Sequence, residues 1–177
     1  MPSSHRHARY GDAGGLAGWW AGLISTRAPG ATILIRLYVG VVFASEGIQK
    51  FLFSDKLGEG RFTKIGIPSP GFFATLDGIL EITCGLLIIV GLLTRIATIP
   101  MIINMVGALV LTKLPLLWGN AALFPGESGW WAFAHESRVD LAQLFGSVFL
   151  LLVGAGPYSL DNYLYPRRNR DSGQRNK

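Results

Sequence analysis

Residues 33–53, ILIRLYVGVVFASEGIQKFLF, set the constraint that any fold of this chain must meet: the run is long and apolar enough to cross a bilayer, yet it carries Arg36, Glu46 and Lys50. About 20 helical residues span a hydrocarbon core. A charge at the middle of such a helix costs roughly 2.5 to 3.5 kcal/mol on insertion, so this helix is poorly suited to stand alone in lipid. On a wheel of about 100° per residue, Arg36, Gly40, Phe43, Glu46, Gly47 and Lys50 fall within about 120° of arc. Charges and glycines therefore share one stripe, and that stripe must face protein.

Three further apolar blocks follow, at residues 72–93, 96–117 and 139–154. A soluble all-α domain is the alternative for a chain that is 50% hydrophobic and 15% charged, but the run LEITCGLLIIVGLL offers water no polar face. The expected fold is all-α: a polytopic membrane protein built as a four-helix transmembrane bundle. Residues 1–31 read as an N-terminal arm, 32–156 as the helical domain and 157–177 as a basic tail. The net charge is +5, and the arm, the connection at Thr94 and Arg95, and the tail hold more of the basic residues than the opposite side. The positive-inside rule then puts both termini in the cytoplasm. Anionic lipid headgroups, rather than nucleic acid, are the expected partner of the basic tail.

Along the chain, Trp19 and Trp20 suit an interfacial helix ahead of the first span, and His5 and His7 read as exposed side chains with no third metal ligand nearby. No signal-peptide cleavage pattern follows the first apolar block. Residues 54–71 read as an external loop closed by Pro68 and Pro70, and Thr94 with Arg95 as the short link between antiparallel helices two and three. Pro100 is placed in the first turn of helix three, and Pro115 at its end. Trp118, Trp130, Trp131 and Phe133, in a long loop before helix four, are placed at the membrane interface. Cys84 is the only cysteine, which excludes an internal disulfide and a CxxC centre; it reads as a small buried residue beside Gly85. GxxxxGK, GxGxxG and HExxH motifs are missing, and no metal site is expected.

Counting residues from the helix ends brings Glu46 and Lys50 to the depth of Asp77 and Glu81, while Asp140 and Gln143 enter from the outer end of helix four. Four carboxylates, Glu46, Asp77, Glu81 and Asp140, then face Lys50 and Arg138, an imbalance that favours proton uptake by one of them. Arg36 lies towards the inner end and is expected to snorkel. Two readings stay open. In one, a Glu46–Lys50 pair and the other acids are structural glue, with Gly40, Gly47, Gly78 and Gly85 permitting close helix approach. In the other, the seam is a proton-accepting pocket suited to a quinol, whose apolar tail arrives from lipid.

The pattern Arg36, Gly40, Phe43, Gly47, Lys50 resembles the opening signature of the DoxX family. The stretch IGIPSPGFFATLDGILEITCGLLIIVGLLTR resembles its continuation, at Gly66, Pro68, Gly78, Glu81, Gly85, Gly91 and Arg95, and GAGPYSLDNYL resembles its closing element, at Gly156, Pro157, Ser159, Leu160 and Asp161. The resemblance implies a compact four-helix protein of the bacterial cell membrane. It also implies a link to quinone-dependent oxidoreductases, as the membrane subunit of a complex with a soluble or peripheral partner. Related proteins that assist disulfide maturation use cysteines, and the lone Cys84 argues against that version. No haem, flavin or iron–sulfur motif is visible, so a quinone is the one cofactor expected, and whether the chain is itself an enzyme stays open. The alternatives are a non-enzymatic scaffold or assembly factor and a small proton-coupled transporter; a homo-oligomer is compatible with each.

Overall fold

The computed structural model describes residues 29–164. The expectations for the N-terminal arm, Trp19, Trp20, His5, His7 and the tail beyond Leu164 lie outside the described residues. Within them the protein is all-α. Helix α1 (Thr32–Leu52) is followed by two short helices, α2 (Ser54–Leu57) and α3 (Glu59–Lys64). Next come α4 (Pro70–Val90), α5 (Thr94–Ala108), α6 (Trp130–Val153) and the short α7 (Leu160–Leu164). Helix α5 runs on through a π-helical turn (Leu109–Lys113) and a 3-10 turn (Leu114–Trp118). Three segments are long and apolar enough to cross a membrane: Thr32–Leu52, Pro70–Val90 and Thr94–Trp118. Helix α6 has the length, at 24 residues, but carries Glu136, Arg138 and Asp140 in its first half.

The tightest contact is between α1 and α4, and glycine makes it possible. A Cβ on Gly40 would sit 2.8 Å from the Gly85 carbonyl, and one on Gly47 would sit 2.7 Å from that of Gly78. Seven residues forward on α1 thus meet seven residues back on α4, as antiparallel helices require. Backbones this close leave no room for a side chain, which is how helices gain packing where lipid removes the hydrophobic drive. The remaining neighbours are α4 with α5, α5 with α6, and α6 with α1. Gly146 of α6 serves the last contact, lying against Val39. Between the four long helices sit Val39, Phe43, Cys84, Ile88, Ala97, Met101, Met105 and Leu150. Large apolar side chains such as Leu34, Phe72, Ile103, Phe145 and Leu152 point outward, an apolar exterior that suits a lipid solvent.

Several sequence expectations need correction. The link between α4 and α5 is residues 91–93, not Thr94 and Arg95. Gly91 ends α4 in the left-handed region (φ 72°) with its N–H on the Leu87 carbonyl, so Thr94 already begins the next helix. Pro100 consequently lies inside α5 rather than in its first turn. Pro115 does not end the segment, because it falls at the start of the 3-10 turn that continues to Trp118. Helix α6 begins at Trp130, ahead of the expected Val139, since nothing after Gly129 breaks a helix; Trp130, Trp131 and Phe133 form its exposed or half-buried first turn. Residues 54–71 are not a plain loop but carry α2 and α3.

Arg36 does not snorkel. It is 3% exposed and donates to the carbonyls of Ala155, at 2.6 Å, and Tyr158, at 2.5 Å, so its charge is spent on the end of α6. Beside it, the Asp161 carboxylate accepts from the backbone N–H of Leu93 at 2.8 Å and of Thr94 at 3.2 Å. The Asp161 N–H returns a bond to the Gly91 carbonyl at 2.9 Å. A carboxylate almost 70 residues away in sequence thus caps α5 and holds Leu93 at a positive φ of 50°. Arg36 and Asp161 close this end of the bundle as a clasp.

The glycine contacts give a direct test. Gly85→Val forces Cβ against the Ala44 N–H, 2.7 Å away, and is expected to cost about 1–3 kcal/mol or more of stability. Gly107→Ala meets nothing within 4 Å and is expected to be neutral; thermal unfolding of both variants in detergent checks the pair.

Candidate functional site

At the end of the bundle opposite the clasp, the helices part around a cavity of about 550 Å³. Its walls come from α1, α4, α5 and α6, and Leu57, Arg61, Phe62, Ile65 and Ile67 from the α2–α3 region line it as well. Phe43 and Met105 line it towards the core, and Phe73, Leu76, Leu80 and Leu111 supply apolar wall. The polar groups expected from the sequence, Glu46, Lys50, Asp77, Glu81, Asp140 and Gln143, all line this one cavity. The stripe on α1 and the acids on α4 therefore do converge.

The pairings differ from those expected. Lys50 does not pair with Glu46 one turn before it. Its ammonium bridges α1 to α4, contacting Asp77 and lying 2.5 Å from Glu81 Oε2. The two carboxylates stand one turn apart on α4, and the glycine contacts hold that helix close enough for one ammonium to reach both. Asn104 of α5 donates to Glu81 Oε1 at 2.8 Å. Glu81 is thus 2% exposed yet contacted at both oxygens, as a buried carboxylate must be. Glu46 is exposed and lines the cavity with no hydrogen bond or ion pair among the described residues.

A second cation joins the one expected. Arg138 lines the cavity but is exposed and donates back to the His135 carbonyl. Lys113 is the buried one, at 6% exposed, in the π-helical turn. It lies 3.7 Å from Glu136, 3.8 Å from Asp140, and 4.3 Å above the Phe124 ring. A π turn shifts the helical register by one residue and is often found at functional sites. Asp140 sits well inside α6 rather than at a loop end. Gln143, 2% exposed, donates to the Val39 carbonyl of α1 at 3.3 Å. Asn104, Lys113 and Glu136 were missed from the sequence; Asn104, a side-chain amide within the otherwise apolar run of residues 99–111, was the visible signal. No group of three or more His, Cys, Asp or Glu residues poised for a metal ion occurs among the described residues.

The DoxX family pattern matches residues 31–114, the stretch from the start of α1 through the π turn. The chain is 52% identical over 154 residues, 87% of its length and 93% of the relative's, to a Mycobacterium tuberculosis protein named uncharacterized membrane protein. The chain belongs to the DoxX family. It is a multi-pass membrane protein. A more distant relative is the Bacillus subtilis protein named putative oxidoreductase CatD, 28% identical over 137 residues, 76% of this chain and 87% of that one. No solved structure matches the chain. Within the stretch that matches the DoxX pattern lie Arg36 of the clasp, Gly40, Gly47 and Gly85 of the helix contact, Phe43 of the core, and Lys50, Asp77, Glu81, Asn104 and Lys113 of the cavity. Asp140 and Gln143 lie beyond it.

Lys50→Met leaves two carboxylates on α4 with no cation and is expected to lose about 3–5 kcal/mol of stability. The triple variant Lys50→Met, Asp77→Asn, Glu81→Gln is expected to recover a large part of that loss. Denaturation of each in mixed micelles measures the difference.

Proposed function

We propose that this DoxX-family protein is the quinone-binding membrane subunit of an oxidoreductase complex. In this reading α6 is the fourth membrane span, both termini face the cytoplasm of a bacterial cell, and electrons are exchanged with a soluble or peripheral partner enzyme. The observation that carries the reading is the cavity: about 550 Å³, within the roughly 300–1,000 Å³ typical of small-molecule sites. Its walls combine apolar side chains, Phe43, Phe62 and Phe73 among them, with a dense set of charged groups from all four long helices. An aromatic head group with one or two oxygens matches such a lining, and a prenyl tail matches access from lipid. Ionisable groups inside spanning helices are costly, and they commonly mark a functional path.

The direction of the charges on α6 supports the fourth span. Glu136 and Asp140 turn towards Lys113 and the cavity, so they need not face lipid. The cytoplasmic termini rest on the distribution of Lys and Arg. Ion pairing around Lys50 also supports the bundle, so both roles described for the seam coexist: the α1–α4 part holds helices together, and the open part receives a ligand.

Anaerobic titration of the nanodisc-embedded protein with a short-tailed benzoquinone and its hydroquinone tests the proposal, together with native mass spectrometry of detergent extracts for co-purified quinone. Binding of at least one form is expected, with Glu46→Gln, at a cavity residue outside the charge bridge, weakening it about threefold or more while shifting thermal stability little. Absence of binding, or parallel loss of binding and stability in Glu46→Gln, contradicts it.

A further inference from the structure

Donors and acceptors are distributed unevenly around the cavity. On the α4–α5 side the polar groups satisfy one another: Glu81 takes Lys50 on one oxygen and Asn104 on the other, and Asp77 takes Lys50. On the α1–α6 side acceptors are left over. Glu46 has neither a hydrogen bond nor an ion pair among the described residues. Asp140 Oδ2 is buried without a hydrogen bond, its nearest cation being Lys113 at 3.8 Å, beyond hydrogen-bonding reach. Gln143 Oε1 is buried and unpartnered. The orientation of that amide is fixed by chemistry, because the Val39 carbonyl can only accept, so Nε2 must face it and Oε1 is the atom left over.

We propose that the cavity selects the reduced, hydroxyl-bearing form of its ligand: the Glu46, Asp140 and Gln143 acceptors receive ligand O–H groups, so a hydroquinone binds more tightly than the corresponding quinone. This deepens the quinone reading above and rests on it. A quinone presents only carbonyl oxygens, two further acceptors that none of these three can bind. A hydroquinone presents two O–H donors that these acceptors can take. Sites that must hydrogen-bond a hydroxyl discriminate strongly against analogues without it, because the buried partner is left dry. The Glu46 and Asp140 carboxylates are near enough to act on each other electrostatically, and Arg61 and Lys113 act on Asp140 as well. Basic residues line the cavity as well, Arg61 and Lys113 among them, but no hydrogen bond joins them to Asp140 Oδ2 or Gln143 Oε1.

The test is an anaerobic titration of the full chain in nanodiscs with three matched probes: a short-tailed benzohydroquinone, its benzoquinone and its dimethyl ether. The hydroquinone is expected to bind about tenfold or more tightly than either other probe, the equivalent of at least one satisfied hydrogen bond. Gln143→Met and Glu46→Met are each expected to narrow that ratio about threefold or more. Glu46 is exposed and unpaired, so its variant folds whatever Gln143→Met does. Equal binding of all three probes overturns this inference and leaves the quinone reading standing. Binding of none by the folded protein removes both. Discrimination that neither variant narrows overturns the assignment of the wall, and so does thermal protection by Na⁺ or Ca²⁺ that Glu46→Met abolishes, which would give the acceptors to a cation.

Discussion

The bridge from Lys50 to Asp77 and Glu81 is the interaction on which the rest of the architecture depends. An ammonium and two carboxylates among spanning helices are tolerable only when held together, and the cost of separating them exceeds what a single surface ion pair contributes. What holds them is steric rather than electrostatic: Gly40 against Gly85 and Gly47 against Gly78 let α1 and α4 touch backbone to backbone. One ammonium then reaches a neighbouring helix without stretching. The glycine seam and the charge bridge are therefore two aspects of one contact, and neither is explained without the other.

The two ends of the bundle are built on opposite principles. At one end Arg36 and Asp161 consume their charges on backbone groups, closing the junction of α1, the α4–α5 turn and the chain after α6. At the other the helices diverge, α2 and α3 contribute to the lining, and charged side chains face a cavity. A bundle that is locked at one end and hollow at the other suits a protein that holds a ligand while the opposite end keeps the helices in register. Lys113 in its π turn belongs to the hollow end, where irregular helix is tolerated because it lines a cavity rather than lipid.

Much of this was legible in the sequence, for identifiable reasons. The i, i+4, i+7 spacing of Arg36, Gly40, Phe43, Gly47 and Lys50 defines a face, and the matching depth of Asp77 and Glu81 follows from counting along antiparallel helices. What could not be read was non-local. Glu46 and Lys50 have the ideal spacing for a pair on one helix, but two acids on α4 compete and win. Arg36 reads as a snorkelling residue until the Ala155 and Tyr158 carbonyls, more than a hundred positions away, fold against it. The charges in the first half of α6 mimic a loop, because hydropathy does not register that Glu136 and Asp140 turn inward to Lys113. Asp161 looks like part of a closing motif with no evident task; its task is to cap a helix elsewhere in the chain.

A solid-state NMR distance between Lys50 Nζ and the Glu81 side-chain carboxyl carbon, measured on selectively labelled protein in lipid bilayers, tests the central claim most directly. Strong dipolar coupling, with nitrogen and carboxylate oxygen within about 4 Å as ion pairing requires, is the result expected from an α1–α4 charge bridge. A folded, helical protein that shows no coupling between these two groups would contradict it, and with it the architecture of the cavity.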